Sequence, residues 1–265
     1  MDLRFSLPGF VFEGQLRRSK LPTAGFIPWS SAGYCHCCRR ETTFTAKTPW
    51  LRDNYLCDTC QSIPRQRHIQ MVLDTYFKGW ESKRIHESSP AAGFIPQYCA
   101  NYTQSQLFSD VPLGDMFKGS RCENLEGMTF DDGTFDIFIT QDVMEHVFRP
   151  DLAIAEIHRV LQPGGIHIFT APKHTGTSER HPAIVKTRQR AKMRADGSVD
   201  HLMPPNYHGS PVGDGRALVT WDYGSDFESL LSEWSGASVC VFQTTNRSLG
   251  IDAHFNEVFV MQKAA

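Results

Sequence analysis

The sequence of 265 residues has no apolar run that approaches the roughly 20 residues needed to cross a bilayer as a helix. Its first residues lack the basic start and the long apolar core of a secretory signal peptide. Eight cysteines in a chain without such a signal argue against a disulfide framework. We therefore expect a cytoplasmic protein with no membrane partner.

The chain also lacks an excess of charge of either sign. A formal net charge of −2 gives no general attraction to nucleic acid or to an anionic membrane. There is no internal repeat or low-complexity segment, and no carboxylate cluster that indicates a catalytic magnesium site. The length suits one large domain with an appendage.

Four of the cysteines stand in two CxxC pairs, Cys35 with Cys38 and Cys57 with Cys60, on either side of a predicted hairpin. Each pair can present two thiolates to one ion, and this arrangement is typical of zinc ribbons. Because four thiolates leave no open position, the predicted zinc is structural. Cys37 could replace Cys38 as a ligand, but with worse spacing. Unrelated free thiols are the main alternative, and a redox role is less favoured.

Residues 135–173 predict a strand, a helix, a turn and a second strand. Residues 135–140 and 166–171 are short apolar runs with β-branched residues, which is typical of buried strands. Between them, helical spacing of apolar residues begins at Pro150, and the turn 162–165 ends it. This order predicts two parallel strands joined by a right-handed crossover.

The sequences FDIFITQDVMEHV and EIHRVLQPGGIHIFTAP in this stretch resemble the fourth strand, following helix and fifth strand of class I S-adenosylmethionine-dependent methyltransferases. The turn His86-Glu87-Ser88-Ser89-Pro90 resembles that of a zinc-ribbon-bearing subgroup, in which it replaces a glycine-rich loop. The resemblance covers roughly residues 33–262. It implies an α/β fold, a seven-stranded doubly wound Rossmann-like methyltransferase sheet with an N-terminal zinc ribbon.

Three segments follow from this interpretation: an N-terminal arm (1–32), the zinc ribbon (33–62) and a methyltransferase domain (63–265). The first strand should end at Glu87, the second should lie near residues 97–105, and residues 238–242 and 257–261 should form an antiparallel pair at the sheet edge. Ser62 is the predicted N-cap of a helix that begins at Pro64. The basic run 186–194 is expected to be helical. It could contact phosphate or a carboxylated substrate, although such runs are usually only solvated.

The resemblance implies that S-adenosylmethionine binds at the carboxyl ends of the first, second and fourth strands. The implied cofactor contacts are Glu87, Ser88, Ser89, Pro90, Ser105, Gln106, Glu123, Asn124, Leu125, Gln141 and Asp142. Ser105 or Gln106 stands where an acidic residue usually holds the ribose, and Asn124 where an aspartate is common near the adenine. Gln141 and Asp142 could instead face the substrate. Simple turn chemistry is the alternative for the loop residues.

Three histidines are candidate general bases, because imidazole accepts a proton near neutral pH. His208 lies in the turn-rich segment 203–211 and is our first choice, whereas His146 follows the fourth strand and His174 follows the fifth. For each, a purely structural hydrogen bond is the alternative.

The predicted function is O-methylation of a small polar or sugar-like acceptor. One alternative is an RNA methyltransferase, against which the net charge weighs. Another is a non-catalytic methyltransferase-like domain, which would explain the paucity of glycine in the turn after Glu87. The apolar arm makes a homodimer plausible.

Overall fold

The structure is a computed structural model that describes residues 25–90, 93–178, 181–210 and 215–265. Most of the predicted N-terminal arm, residues 1–24, lies outside the described residues. Among the described residues, none of the helices combines the length and the apolar character that a bilayer crossing needs.

The elements follow one another along the described chain as below. The strands are β1 (Trp29–Cys35), β2 (Arg40–Ala46), β3 (Tyr55–Cys57), β4 (Ile85–Ser88), β5 (Tyr102–Gln106), β6 (Met116–Phe117), β7 (Ser120–Cys122), β8 (Phe135–Gln141), β9 (Leu161–Thr170), β10 (Thr175–Ser178), β11 (His181–Ala183), β12 (Arg188–Gln189), β13 (Ala191–Met193), β14 (Val199–His201), β15 (Tyr207–Gly209), β16 (Arg216–Leu218), β17 (Trp221–Asp222), β18 (Val239–Phe242) and β19 (Val258–Gln262). The helices are α1 (Leu51–Asn54), α2 (Pro64–Tyr76), α3 (Pro150–Val160) and α4 (Phe227–Ser235), with 3₁₀ turns at Trp80–Ser82, Ile95–Gln97, Met144–His146 and Arg247–Leu249.

The central sheet has the strand order β18-β19-β9-β8-β4-β5-β7-β6. Neighbouring strands from β9 to β7 are parallel, β19 is antiparallel to both of its neighbours, and β6 is antiparallel to β7. The parallel β8–α3–β9 unit and the antiparallel pair at the edge confirm the predicted order of strands and helix. The predicted turn at 162–165 is wrong, because β9 begins at Leu161, directly after α3. The described sheet has eight strands instead of seven, because the chain adds the two-residue strand β6 in a hairpin with β7.

Both faces of the sheet are covered, which explains why β8 and β9 bury apolar side chains on both faces. On one face, Phe138 and Phe169 are fully buried in a cluster that includes residues of α3 and α4. On the other, Ile139 and Ile168 are fully buried in a cluster that includes residues of α2. The predicted doubly wound arrangement is therefore present in the described residues.

Two local predictions are wrong at the start of the domain. Ile63, and not Ser62, is the N-cap of α2, and its backbone N–H donates to the side-chain oxygen of Gln66 at 3.0 Å. The Ser62 hydroxyl lies instead 3.5 Å from the sulfur of Cys35. The second strand begins at Tyr102, because residues 95–97 form a 3₁₀ turn.

The basic run 186–194 is not helical. It contains β12, which pairs with β17, and β13, which pairs with β14. Arg188 and Arg190 lie 2.9 and 2.7 Å from the carboxylate of Asp222, and Arg194 lies 2.9 Å from that of Asp200. Partners distant in sequence therefore decide the conformation of this segment.

The small sheet β1-β2-β3 joins the larger domain through the buried Arg67 of α2. Its guanidinium lies 4.8 Å from the ring centre of Phe44 and donates to the carbonyl of Gly250 at 2.6 and 2.9 Å and to that of Tyr55 at 2.7 Å. Since a buried charge needs such partners, Arg67 is a structural residue and not a substrate ligand.

Close backbone contact completes this junction at Gly33 of β1. A Cβ atom at Gly33 would lie 1.9 Å from the carbonyl oxygen of Ser248. We expect Gly33→Ala to lower the free energy of unfolding by about 1–3 kcal/mol, because the two backbones must separate. Urea denaturation measures the change. Gly127→Ala is the matched control, since a Cβ at Gly127 meets nothing within 4 Å. Equal stability of the two variants would contradict the close contact between Gly33 and Ser248.

Candidate active site and zinc site

The four cysteines of the two CxxC pairs come together at one end of the small sheet. The sulfurs of Cys35 and Cys60 are 3.7 Å apart, those of Cys38 and Cys57 are 3.9 Å apart, and all four lie within 4.8 Å of one another. None of them forms a disulfide. A tetrahedral zinc ion with Zn–S bonds of about 2.3 Å would place the sulfurs about 3.8 Å apart. The donor set therefore fits zinc without rearrangement.

A second polar group lies near the carboxyl ends of the parallel strands, around Glu87 of β4. Its carboxylate accepts hydrogen bonds from Gln141 Nε2 at 2.7 Å and from Tyr102 Oη at 2.9 Å. Burial raises the pKa of Glu87 to about 7, although both donors act to lower it. The side-chain oxygen of Gln141 is buried and has no partner among the described residues. A carboxyl group and an amide oxygen are thus available to a ligand with hydrogen-bond donors.

The turn that follows β4 has an unusual backbone. Ser89 has a φ of 53°, and its N–H donates to the carbonyl of Ser105 at 2.8 Å. Ser88 is buried, and Pro90 is half-buried. A left-handed residue in this place produces the sharp turn that glycine would otherwise allow. Ser89 therefore adopts the left-handed conformation for which glycine is the usual residue.

The structure separates the two candidates at the end of β5. Ser105 is fully buried, and its hydroxyl lies 2.9 Å from Nε2 of His86. The side chains of a strand alternate between faces, so Gln106 projects to the opposite face of the sheet from Ser105. Since Glu87 is paired with Gln104 in the parallel register, Gln106 shares the face of Glu87.

The loop after β7 uses its polar groups internally. Glu123 accepts from Arg121 Nε at 2.7 Å, and from both the backbone N–H and the hydroxyl of Thr129. The side-chain oxygen of Asn124 accepts from the N–H of Glu126 at 3.0 Å, and Leu125 is buried. Hydrogen bonds within the loop therefore account for the side chains of Glu123 and Asn124, which is the alternative to a cofactor contact given for these residues above.

The carboxylate of Asp142, the residue after β8, is paired with two arginines, Arg52 of α1 and Arg65 of α2. Its carboxylate accepts from Arg52 of α1 and from the hydroxyl of Thr170 at 2.9 Å, and it lies 3.2 Å from Nε of Arg65. Burial alone would raise the pKa of Asp142, but the charges of Arg52 and Arg65 lower it to about 2. The carboxylate is thus engaged in a buried ion pair, and its contact with the cofactor or the substrate stays a prediction.

Two of the three candidate histidines meet beyond the end of β8. The rings of His146 and His208 are 5.1 Å apart and perpendicular, and both lie near the carboxylate of Glu145. His174 is not part of this group, since its ring lies against Phe255 at 5.3 Å. Sequence reasoning missed Glu145, although it directly precedes His146 and follows the same strand end.

Comparison with known proteins bears on the same segment. Residues 96–169 match the family model described as "Methyltransferase domain". The match covers 74 of the 265 residues. S-adenosylmethionine-dependent methyl transfer is the enzymatic activity that this match supports, and the matched residues include β5, β7, β8, α3 and β9. A search among curated proteins gives no match.

Solved structures of low sequence identity align with the domain. An S-adenosylmethionine-dependent methyltransferase from Mesorhizobium loti is 12% identical, with 73% of this chain and 97% of that chain covered and a TM-score of 0.47. The 1,6-didemethyltoxoflavin-N1-methyltransferase of Burkholderia thailandensis is 12% identical, with 76% and 79% covered and a TM-score of 0.43. A methyltransferase from Methanosarcina mazei is 16% identical, with 69% and 93% covered and a TM-score of 0.41.

The buried ion pair of Asp142 yields a stability prediction. We expect Asp142→Asn to lower the free energy of unfolding by about 3–5 kcal/mol, because it leaves Arg52 without its charged partner. Chemical denaturation at neutral pH measures the loss.

The matched control is Asp151→Asn, which breaks the exposed pair between Arg149 and Asp151. That change should cost no more than about 1 kcal/mol. An Asp142→Asn variant as stable as the Asp151→Asn variant would contradict the structural role of Asp142.

Proposed function

We propose that the protein transfers the methyl group of S-adenosylmethionine to a hydroxyl group of a small polar or sugar-like acceptor. The observation that carries the cofactor part is the buried pair of Glu87 and Gln141, which join β4 and β8 at their carboxyl ends. Gln141 lies within the residues that match the methyltransferase family model, and Glu87 lies on the strand paired with β8. Open α/β sheets bind their ligands at this edge.

The residues around Glu87 suit the polar groups of the cofactor. The Glu87 carboxylate and the unpartnered Gln141 oxygen are acceptors for its ammonium or hydroxyl groups. Gln106, on the same face, is the remaining candidate for the ribose. Small side chains at Ser88 and Ser89 allow the cofactor to approach the backbone of the turn closely. When bound, S-adenosylmethionine supplies an electrophilic methyl group, and the acceptor oxygen forms the new C–O bond as the S–C bond breaks.

On the acceptor side, we propose that the group formed by Glu145, His146 and His208 faces the acceptor hydroxyl. These three side chains follow β8 or lie on the hairpin β15–β16, which packs against the turn at His146 through its Leu218 carbonyl. The hydroxyl must lose a proton during transfer, and His208, the more exposed histidine of the two, is our candidate to accept it.

We also propose that Cys35, Cys38, Cys57 and Cys60 hold one structural zinc ion. The zinc would fix the small sheet, whose α1 supplies Arg52 to the turn at Asp142. The ribbon would thus support the edge of the cofactor site without contributing to the chemistry.

An RNA substrate is less well supported. Four of the five basic residues of the run 186–194, all except Lys186, are engaged with Asp222 or Asp200. If RNA were the acceptor, its affinity would fall steeply with added salt.

Cofactor binding should depend on pH through Glu87. Below a pH of about 7 the Glu87 carboxyl is mainly protonated, and the neutral acid is a weaker acceptor for an ammonium or hydroxyl group than the carboxylate is. Affinity should therefore rise several-fold between pH 6 and 8. Calorimetric titration with S-adenosylhomocysteine measures this dependence. Glu87→Gln should bind more weakly and with little change over the same range. Absence of binding by the parent protein at any pH would contradict the proposed function, and unchanged affinity in the variant would contradict the role of Glu87.

Zinc should be present in the purified protein at one ion per chain. Cys57→Ser should lose the metal and lower the melting temperature, because metal affinity at a structural site adds to folding free energy. Elemental analysis and thermal melting are the measurements. Cys240→Ser is the control, since Cys240 is an exposed thiol outside the cluster. Protein without zinc, whose melting does not respond to a chelator, would rule out the site.

A further inference from the structure

We propose that Glu145, His146 and His208 bind one divalent transition-metal ion of the Mn²⁺ class. The nitrogen or oxygen atoms that the three residues offer lie within 4.8 Å of one another. That the ion binds is inferred from these side chains and does not rest on the proposed function. Its use, to hold the acceptor hydroxyl, rests on the proposed function and deepens it.

The first observation is the state of the Glu145 carboxylate. Its side chain is only 2% exposed, and neither carboxylate oxygen has a hydrogen-bond partner among the described residues. The backbone of Glu145 is held in place, because its carbonyl accepts from both the N–H and the hydroxyl of Thr220, at 2.8 and 3.0 Å. A buried carboxylate without donors is costly unless a cation is bound to it.

The second observation is the tautomer of His146. Its Nδ1 lies 2.8 Å from the carbonyl oxygen of Leu218, so Nδ1 carries the proton and donates it. In the neutral imidazole the other nitrogen, Nε2, presents a lone pair, and it lies 3.8 Å from Glu145 Oε1. A second acceptor next to the carboxylate does not stabilise it, whereas an ion between the two would. Histidine ligands of metals commonly donate their other N–H to a backbone carbonyl in this way.

His208 completes the group from a different part of the chain. Its Nδ1 lies 3.7 Å from the same Glu145 oxygen. The separations of 3.7 and 3.8 Å are too long for hydrogen bonds. Two ligands at about 2.1 Å from one ion lie about 3–3.5 Å apart. A bound ion would therefore draw the three side chains together by a few tenths of an ångström. His208 can follow, because its side chain is 41% exposed.

Arg52 is the cation that could otherwise balance Glu145. Its charge acts on Glu145, but its guanidinium donates to Asp142 and to the carbonyl of Phe255. Arg52 therefore makes the local potential more positive without supplying Glu145 with a hydrogen bond. The carboxylate keeps its coordination sites for another cation.

The donor set indicates the kind of ion. Two imidazole nitrogens and one carboxylate suit first-row transition metals, whereas Ca²⁺ and Mg²⁺ prefer oxygen ligands alone. Three protein ligands leave positions open to a hydroxyl or a vicinal diol. An ion there would lower the pKa of a bound hydroxyl, whose proton would pass to solvent as the oxygen takes the methyl group. With the ion bound, His208 would serve as its ligand, and solvent would take the proton that His208 would accept in the metal-free protein.

Titration of the full chain with Mn²⁺ tests the site. We expect electron paramagnetic resonance and calorimetry to show one Mn²⁺ per chain, bound without loss of the zinc. Glu145→Gln and His208→Ala should each weaken Mn²⁺ binding by about tenfold or more. His208→Ala alters a half-exposed side chain, so it should fold even if Glu145→Gln does not. His201→Ala, which removes an exposed histidine on β14, should bind as the parent does.

Two outcomes would overturn the proposal: no Mn²⁺ bound by the parent protein, or equal affinity in His208→Ala and His201→Ala. Titration of the same samples with S-adenosylhomocysteine separates this site from the proposed function. Protein that binds S-adenosylhomocysteine but no Mn²⁺ contradicts the metal site alone. Protein that binds Mn²⁺ but no S-adenosylhomocysteine supports the metal site and contradicts the proposed function.

Discussion

The geometry of the candidate site depends on the buried ion pair between Asp142 and Arg52. Asp142 follows β8 directly and has a φ of 54°, a conformation that a non-glycine residue adopts only when its surroundings hold it. Arg52 belongs to α1, next to the small cysteine-bearing sheet. The pair therefore fixes the exit of the central strand to a separate part of the chain. From this turn the chain passes to Glu145 and His146, so the pair also sets their position.

Two buried carboxyl groups at the same sheet edge have opposite protonation tendencies. Glu87 has only neutral donors, Tyr102 and Gln141, and burial raises its pKa to about 7. Asp142 has arginine partners, and its pKa is lowered to about 2. Pairs of carboxyl groups with different environments are a common feature of active sites. In this protein the difference assigns Asp142 to structure and leaves Glu87 free to respond to a ligand.

Local sequence patterns were enough to predict the parts of the fold with strong periodicity. The strand–helix–strand unit at residues 135–170 and the two CxxC pairs depend on near neighbours, and both formed as predicted. Long-range contacts decided the rest. In the run 186–194, β12 pairs with the remote strand β17, where Arg188 and Arg190 lie against Asp222. The ion pair of Asp142 could not be predicted, because Arg52 is remote in sequence. Glu145 was missed for the same reason, since His208, which lies 3.7 Å from its carboxylate, is on a hairpin remote in sequence.

A crystal structure with bound S-adenosylhomocysteine would test the account most directly. The account predicts that the ligand lies across the carboxyl ends of β4, β5 and β8, with Glu87 and Gln141 in contact or one water away. Its sulfur should point toward the group formed by Glu145, His146 and His208. A ligand bound elsewhere, or bound at this edge with its sulfur turned away from that group, would contradict the account.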